Sequence, residues 1–217
     1  MSELFDEVDE DVRRDQLKKL WDQYSIYIVA GALLIIAAVG GWRGYQYLEA
    51  RKAAEAGAAF DKAVELSEQN KHAEAETAFI DLAAKASSGY RVLARLRAAA
   101  EAGNRDPKAA AKMYDDVAAD RSVGAAEQDL ARVRAAGLLL ETSSYPDMLA
   151  RLEAAAAPGS TFRHTARELL ALSAWRASDA TAARKWLDLI ANDGETPPSL
   201  RSRAEALQGL LPPVAKS

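Results

Sequence analysis

The residues able to do chemistry are few, and their spacing does not assemble a reaction centre. The chain has two histidines and no cysteine, so thiolate metal sites, disulfides and cysteine nucleophiles are all excluded. His72 falls in a turn and His164 near a helix start, about 90 residues apart, and neither has a second ligand at zinc-site spacing. Both read as surface or capping residues. The acid pairs Asp115/Asp116 and Glu74/Glu76 are what any solvated helix face carries, with nothing to mark one as a general acid. The run Gly40-Gly41-Trp42-Arg43-Gly44 lacks the Gly-Lys-Ser/Thr of a phosphate loop. The chain is therefore expected not to be an enzyme and to need no cofactor or metal. The chemistry left is recognition, and its carriers are arginines. On the segments read as first helices of successive hairpins, Arg91, Arg95, Arg97, Arg132, Arg134, Arg163, Arg167 and Arg176 outnumber the acids, whereas the second helices lean acidic. Arg91, Arg95, Arg132 and Arg167 are the expected partner-binding set, on the concave side of a solenoid. Ordinary helix-surface charge is the alternative reading.

Those arginines sit in a chain of 217 residues, long enough for one domain plus an appendage. The formal charge of −4 belongs entirely to residues 1–22, which hold eight acids and four bases. The remainder is neutral, which argues against nucleic acid as a partner.

From Gln23 to Trp42 there is no Asp, Glu, Lys or Arg. Twenty helical residues span about 30 Å, the thickness of a bilayer's hydrocarbon core. Trp21, Tyr24 and Tyr27 flank one end and Trp42, Tyr45 and Tyr47 the other, at the two headgroup levels. Trp21, Tyr24, Trp42 and Arg43 are the expected membrane-interface anchors. A cleaved signal peptide is the rival reading, opposed by the long acidic lead and by the aromatics and Arg43 that follow. Arg13, Arg14, Lys18 and Lys19 before the span, against Arg43, Arg51 and Lys52 after it, favour a cytoplasmic tail and a translocated domain.

Beyond Arg43 the sequence is alanine-rich with helical periodicity, interrupted at 69–72, 87–89, 103–106, 121–124, 143–145, 158–160, 178–179 and 192–197. Pro107, Pro146 and Pro198 stand where helices begin, the position at which a missing N–H costs least. Eight breaks predict nine helices: hairpins over 44–86, 90–120, 125–157 and 161–191, and a closing helix over 198–211. Second helices align on a small residue, a bulky one four later and an apolar one three after that. The sets are Ala75–Phe79–Leu82, Ala110–Tyr114–Val117, Met148–Leu152–Ala155 and Ala182–Trp186–Leu189. The bulky positions are 35, 38 and 34 residues apart, close to the tetratricopeptide period of about 34. Ala75, Phe79, Ala110, Tyr114, Leu152, Ala182 and Trp186 are the expected repeat-packing residues. The fold class is all-α: a transmembrane signal-anchor helix followed by a tetratricopeptide-like helical-hairpin solenoid, with an irregular helical bundle as the alternative. Residues 1–22 are the tail, 23–42 the span, 43–211 the domain and 212–217 a flexible C-terminal tail, with Gly40, Gly41 and Gly44 as the expected hinge.

The span ending in Gly41-Trp42-Arg43, the alanine-rich helix with Phe60 near its middle, and the repeats resemble the ancillary SecYEG translocon subunit family (YfgM-like). The tail Ser2-Glu3-Leu4-Phe5-Asp6-Glu7-Val8-Asp9-Glu10, followed by Arg13-Arg14 and Lys18-Lys19-Leu20-Trp21, is similar to the alphaproteobacterial branch. The resemblance implies an inner-membrane, single-pass protein with its domain in the periplasm. Its implied partners are the SecYEG translocon and a membrane-anchored periplasmic prolyl isomerase and chaperone, besides the lipid bilayer itself. The family supplies no catalytic residues. A repeat scaffold for a cell-envelope or division complex is the alternative function.

Overall fold

A computed structural model describes residues 3–212 and, among these, the side chains of all but 3–17, 19, 20, 28 and 88. Of the expected C-terminal tail only Pro212 is described; the rest lies outside the described residues. Every regular element described is an α-helix, and there is no strand among the described residues. Among the described residues nine helices follow one another: α1 (Glu3–Glu68), α2 (His72–Lys85), α3 (Ser88–Gly103), α4 (Pro107–Ala118), α5 (Ala125–Leu139), α6 (Tyr145–Leu152), α7 (Arg163–Arg176), α8 (Ala180–Ala191) and α9 (Pro198–Leu210). The chain divides into two compact units, Met1–Ala53 and Ala54–Ser217.

The first unit is the N-terminal part of α1. It contains a stretch apolar and long enough to cross a membrane, none of it buried. Ile26, Leu34 and Ile36 are about two-thirds or more exposed. The backbone at Gly40, Gly41 and Gly44 is helical.

In the second unit the helix ends are set by local chemistry. Asp106 accepts hydrogen bonds from the backbone N–H groups of Lys108 and Ala109, with Pro107 as the first residue of α4. Ser144 accepts from the N–H of Asp147 ahead of α6, and Asp179 from that of Ala182 ahead of α8. Such caps satisfy donors that the first turn leaves orphaned, each worth about 1 kcal/mol. The turns between α1 and α2 and between α7 and α8 put Asn70 and Ser178 at φ of 59° and 62°, which reverses the chain in few residues. α6 stops at Leu152 rather than continuing to 157. Pro158 disfavours helical backbone at the residue before it, and the chain passes through turns in which Ala155 and Ala156 are still buried.

Each helix packs on its neighbour in sequence, from α2 on α3 to α8 on α9; in addition α3 lies against α5 and α5 against α7. α3, α5 and α7 thus form one layer, with α4, α6 and α8 each packed against its neighbours in that layer. Three apolar clusters join the hairpins. The first gathers Ala63, Ala75, Phe79, Ala94 and Ala98, with the Phe60 ring 5.3 Å from that of Phe79 and 6.1 Å from that of Tyr90. The second is built on Ala99, Ala111, Tyr114, Val117, Ala131 and Ala135. The third runs from Val133 and Ala136 through Met148, Leu152 and Leu170 to Leu187, Ile190, Leu200 and Ala204. The alanines let backbones approach, and Phe79, Tyr114 and Leu152 fill the gaps; all three are at most 5% exposed.

The fourth hairpin departs from the expected register by one residue. Ala182 is half-buried and Leu189 is 41% exposed, whereas Ala183, Leu187 and Ile190 are fully buried. The small-bulky-apolar set of α8 is therefore Ala183–Leu187–Ile190. Trp186 remains 9% exposed on the flank of this set, its Nε1–H donating to the Tyr145 hydroxyl at 3.0 Å. The cause is α9, whose Leu200 and Ala204 join Leu187 and Ile190 in one cluster and so draw that face of α8 inward.

Candidate functional site

The polar groups most deeply placed in the domain serve its architecture. Glu101, 5% exposed, accepts from the Ser67 hydroxyl at 2.6 Å, and its other oxygen lies 2.7 Å from Nδ1 of His72. This joins α1, α2 and α3. Serine and histidine both address the carboxylate and not each other, so no nucleophile is activated, as a serine-histidine relay would require. His72 is thus pinned to a buried acid.

His164 is buried, which corrects the expectation of a surface or capping residue. Its Nδ1 lies 3.1 Å from Oγ1 of Thr196, and that hydroxyl donates to the carbonyl of Ile190 at 2.7 Å. The single hydroxyl proton being spent there, Nδ1 must carry the hydrogen of the imidazole. Beside it, Arg163 donates to Asp193 at 2.8 Å and to Glu195, and Arg167 donates to Asp193 at 3.0 Å. Burial, then the neighbouring Arg163, pushes the His164 pKa down. The hydrogen bond from Arg163, then the backbone N–H of Glu195, holds Asp193 well below the usual carboxylate range. Both shifts mean that the folded state binds protons less readily than the unfolded chain, so stability is lost as pH falls. The thermal midpoint should therefore be flat above neutrality, decline once pH drops below about 6.5 and decline again below about 4, the ordinary histidine and aspartate ranges. In His164→Gln the first decline should disappear from a pH series of melting curves. If it persists, another group is responsible.

The four arginines expected to meet a partner are engaged within the chain. Arg95 donates to Asp120 at 2.6 Å and to the carbonyl of Asp116 at 2.9 Å. With the Ser122 hydroxyl contributing most and Arg95 next, the Asp120 pKa is lowered to about 2. Arg132 donates to Asp129 at 2.7 Å and to the carbonyl of Ala118. Arg167, 4% exposed, donates to the carbonyls of Ala156 and Leu189 as well as to Asp193. Arg91 donates to the carbonyl of Ala86 at 3.1 Å. Much of the arginine-acid asymmetry between first and second helices thus resolves into bonds within the chain, some to the arginine's own hairpin, as from Arg95 to Asp120, and others back to the end of the preceding one, as from Arg91 to Ala86, Arg132 to Ala118 and Arg167 to Ala156. Of the expected membrane anchors, Trp21, Tyr24 and Trp42 are 46–63% exposed and Arg43 is also exposed.

One concave feature of the domain lies on the layer of α3, α5 and α7. Ala100 of α3, Leu130, Val133, Arg134, Gly137 and Leu138 of α5, and Phe162, Thr165 and Leu169 beside and along α7 enclose a groove of about 530 Å³, with Tyr114 of α4 beneath. That volume falls in the range of about 300–1,000 Å³ common to binding pockets. The walls are mostly apolar. On α3 the stripe continues one turn back from Ala100 to Arg97, Leu96 and Leu93, of which Leu93 is 48% exposed. Arg97 and Arg134 are exposed, and among the described residues neither has an ion-pair or hydrogen-bond partner. Their positive charge does reach Tyr114, where it opposes the upward shift that burial imposes on the phenol. No group of three or more histidines, acids or cysteines able to hold a metal occurs among the described residues.

Stacked helical hairpins, with one helix of each pair forming a layer that carries a groove, define a helical-repeat protein of the solenoid class. Residues 18–184 match the tetratricopeptide repeat-like domain, and the chain belongs to that family. Domains of this kind are typically non-catalytic scaffolds that act through protein–protein contacts. No curated protein and no solved structure matches the chain.

Proposed function

We propose that the protein is a single-pass, membrane-anchored interaction module with a cytoplasmic N-terminal tail and a periplasmic repeat domain. It associates with the SecYEG translocon and, together with a membrane-anchored periplasmic prolyl isomerase and chaperone, assists the handling of exported chains. The observation that carries the reading is an apolar helical stretch left wholly uncovered, in a chain whose family match begins at residue 18 and so takes in that stretch together with the repeats. An exposed apolar surface of this length is costly in water and stable in lipid. The neutral domain and the absence of a catalytic constellation in the sequence fit a binding role.

Cross-linking in native membranes, followed by identification of the captured proteins, tests the partners. Translocon subunits and a periplasmic prolyl isomerase are expected to head the captured set. Capture of division or wall-synthesis proteins in their place would move the assignment to a cell-envelope scaffold.

A further inference from the structure

We propose that the groove between α3, α5 and α7 binds a protein segment in which bulky apolar side chains are interleaved with carboxylates, the apolar groups entering the groove and the carboxylates meeting Arg97 and Arg134. The inference rests on the reading of the chain as an interaction module and names what its binding face takes. Three observations lead to it.

The groove walls are mostly apolar side chains from three separate helices, Val133 buried and Phe162, Leu138 and Leu169 only partly so, and an apolar occupant would cover surface that the chain itself leaves in water. Among the described residues that line the groove Arg134 alone is charged, and none is an acid. Arg97 lies one turn from Ala100 on the same face of α3. Most of the other arginines of these helices are committed: Arg95 and Arg132 to acids, Arg163 and Arg167 to Asp193, Arg176 to the carbonyls of Glu141 and Ser143. Arg134 in the groove lining and Arg97 one turn along α3 from the lining residue Ala100, neither bonded to an acid, are complementary to an anionic ligand. Charge alone would suit many anions. The adjoining apolar walls select a ligand with large hydrocarbon groups next to its charges, which an amphipathic acidic polypeptide supplies. Tyr114 is also a lining residue, and its phenol is of the type that can donate to a carboxylate or a backbone carbonyl.

Gly137 provides a way to close the groove without disturbing the fold. It lines the cavity on α5, and a Cβ placed there would meet no atom within 4 Å. Leucine at this position therefore projects into the groove and replaces a poor helix former with a good one.

The test uses the full chain in lipid nanodiscs and three fluorescent decapeptides: alternating Phe and Asp, alternating Phe and Asn, and alternating Ser and Asp. The Phe/Asp peptide is expected to bind at least tenfold more tightly than either of the others, and its affinity should fall with added salt. Arg97→Ala with Arg134→Ala should weaken it at least tenfold and remove most of the advantage over the Phe/Asn peptide. Gly137→Leu should abolish binding while leaving the melting temperature equal or higher. Equal affinity for Phe/Asp and Phe/Asn would overturn the role of the arginines, and with it the proposal. Undiminished binding by Gly137→Leu, or no binding of any peptide to the wild-type chain, would overturn the groove as the site. If translocon cross-links survive in the Gly137→Leu protein while peptide binding is lost, the groove serves other ligands. If peptide binding holds but no membrane partner is captured, the groove assignment stands and the translocon reading falls.

Discussion

Replacing Phe79 with Ala is expected to cost about 3 to 5 kcal/mol of domain stability, the range for removing a fully buried aromatic ring. Phe79 has no exposed surface and lies against Phe60, so truncation empties the space between α1, α2 and α3. The surrounding residues are largely alanines, Ala63, Ala75, Ala94 and Ala98, whose short side chains cannot swing in to refill it. The same argument makes the fourth hairpin a test of register. Leu187→Ala should cost about 2 to 5 kcal/mol, while Leu189→Ala, at a 41% exposed position, should stay within about 1 kcal/mol. Urea denaturation followed by circular dichroism measures all three. A larger loss for Leu189→Ala than for Leu187→Ala would restore Ala182–Trp186–Leu189 as the packing set.

The second large effect concerns the apolar stretch. Substituting residues 1–43 with a cleavable signal sequence should move the repeat domain from the membrane to the soluble periplasmic fraction and reduce cross-linking to membrane partners at least tenfold, with its helical content unchanged. The compact second unit begins at Ala54, so the exchange leaves all of its packing in place. A tether raises the local concentration of partners in the same bilayer, so that weak contacts suffice, and its loss removes that gain without touching the binding face. Unchanged cross-linking by the released domain would show that the repeats alone hold the partner.

The helix boundaries were the most legible part of the chain, because prolines, short polar turns and N-capping residues act locally. Pro107 and Pro198 begin α4 and α9, and Asp106 and Asp179 cap where expected of such residues. What the sequence could not resolve was which of two adjacent residues faces inward. Ala182 and Ala183 are both small, and the large indole of Trp186 draws the alignment to itself. The deciding contact comes from α9, outside the repeating pattern. The arginines pose the same difficulty. Arg95 and Arg97, like Arg132 and Arg134, are two positions apart and so lie on nearly opposite faces of their helices. One of each pair meets acids and carbonyls at the hairpin end, and the other is left at the groove. Counting charge on a helix cannot separate them. The burial of His164 was equally hidden, since Thr196 and Asp193 converge on it only when the α8–α9 loop folds back over α7.

The proposed topology puts the repeat domain on the far side of the membrane from the N-terminal tail. Protease added to intact spheroplasts, combined with determination of the mature N-terminus, tests it most directly. The polypeptide beyond Arg43 is expected to be digested from outside, while a fragment carrying the tail and residues 23–42 stays with the membrane and keeps its N-terminus at or near Met1. A domain protected until the cells are lysed, or a mature N-terminus beyond residue 36, would contradict it.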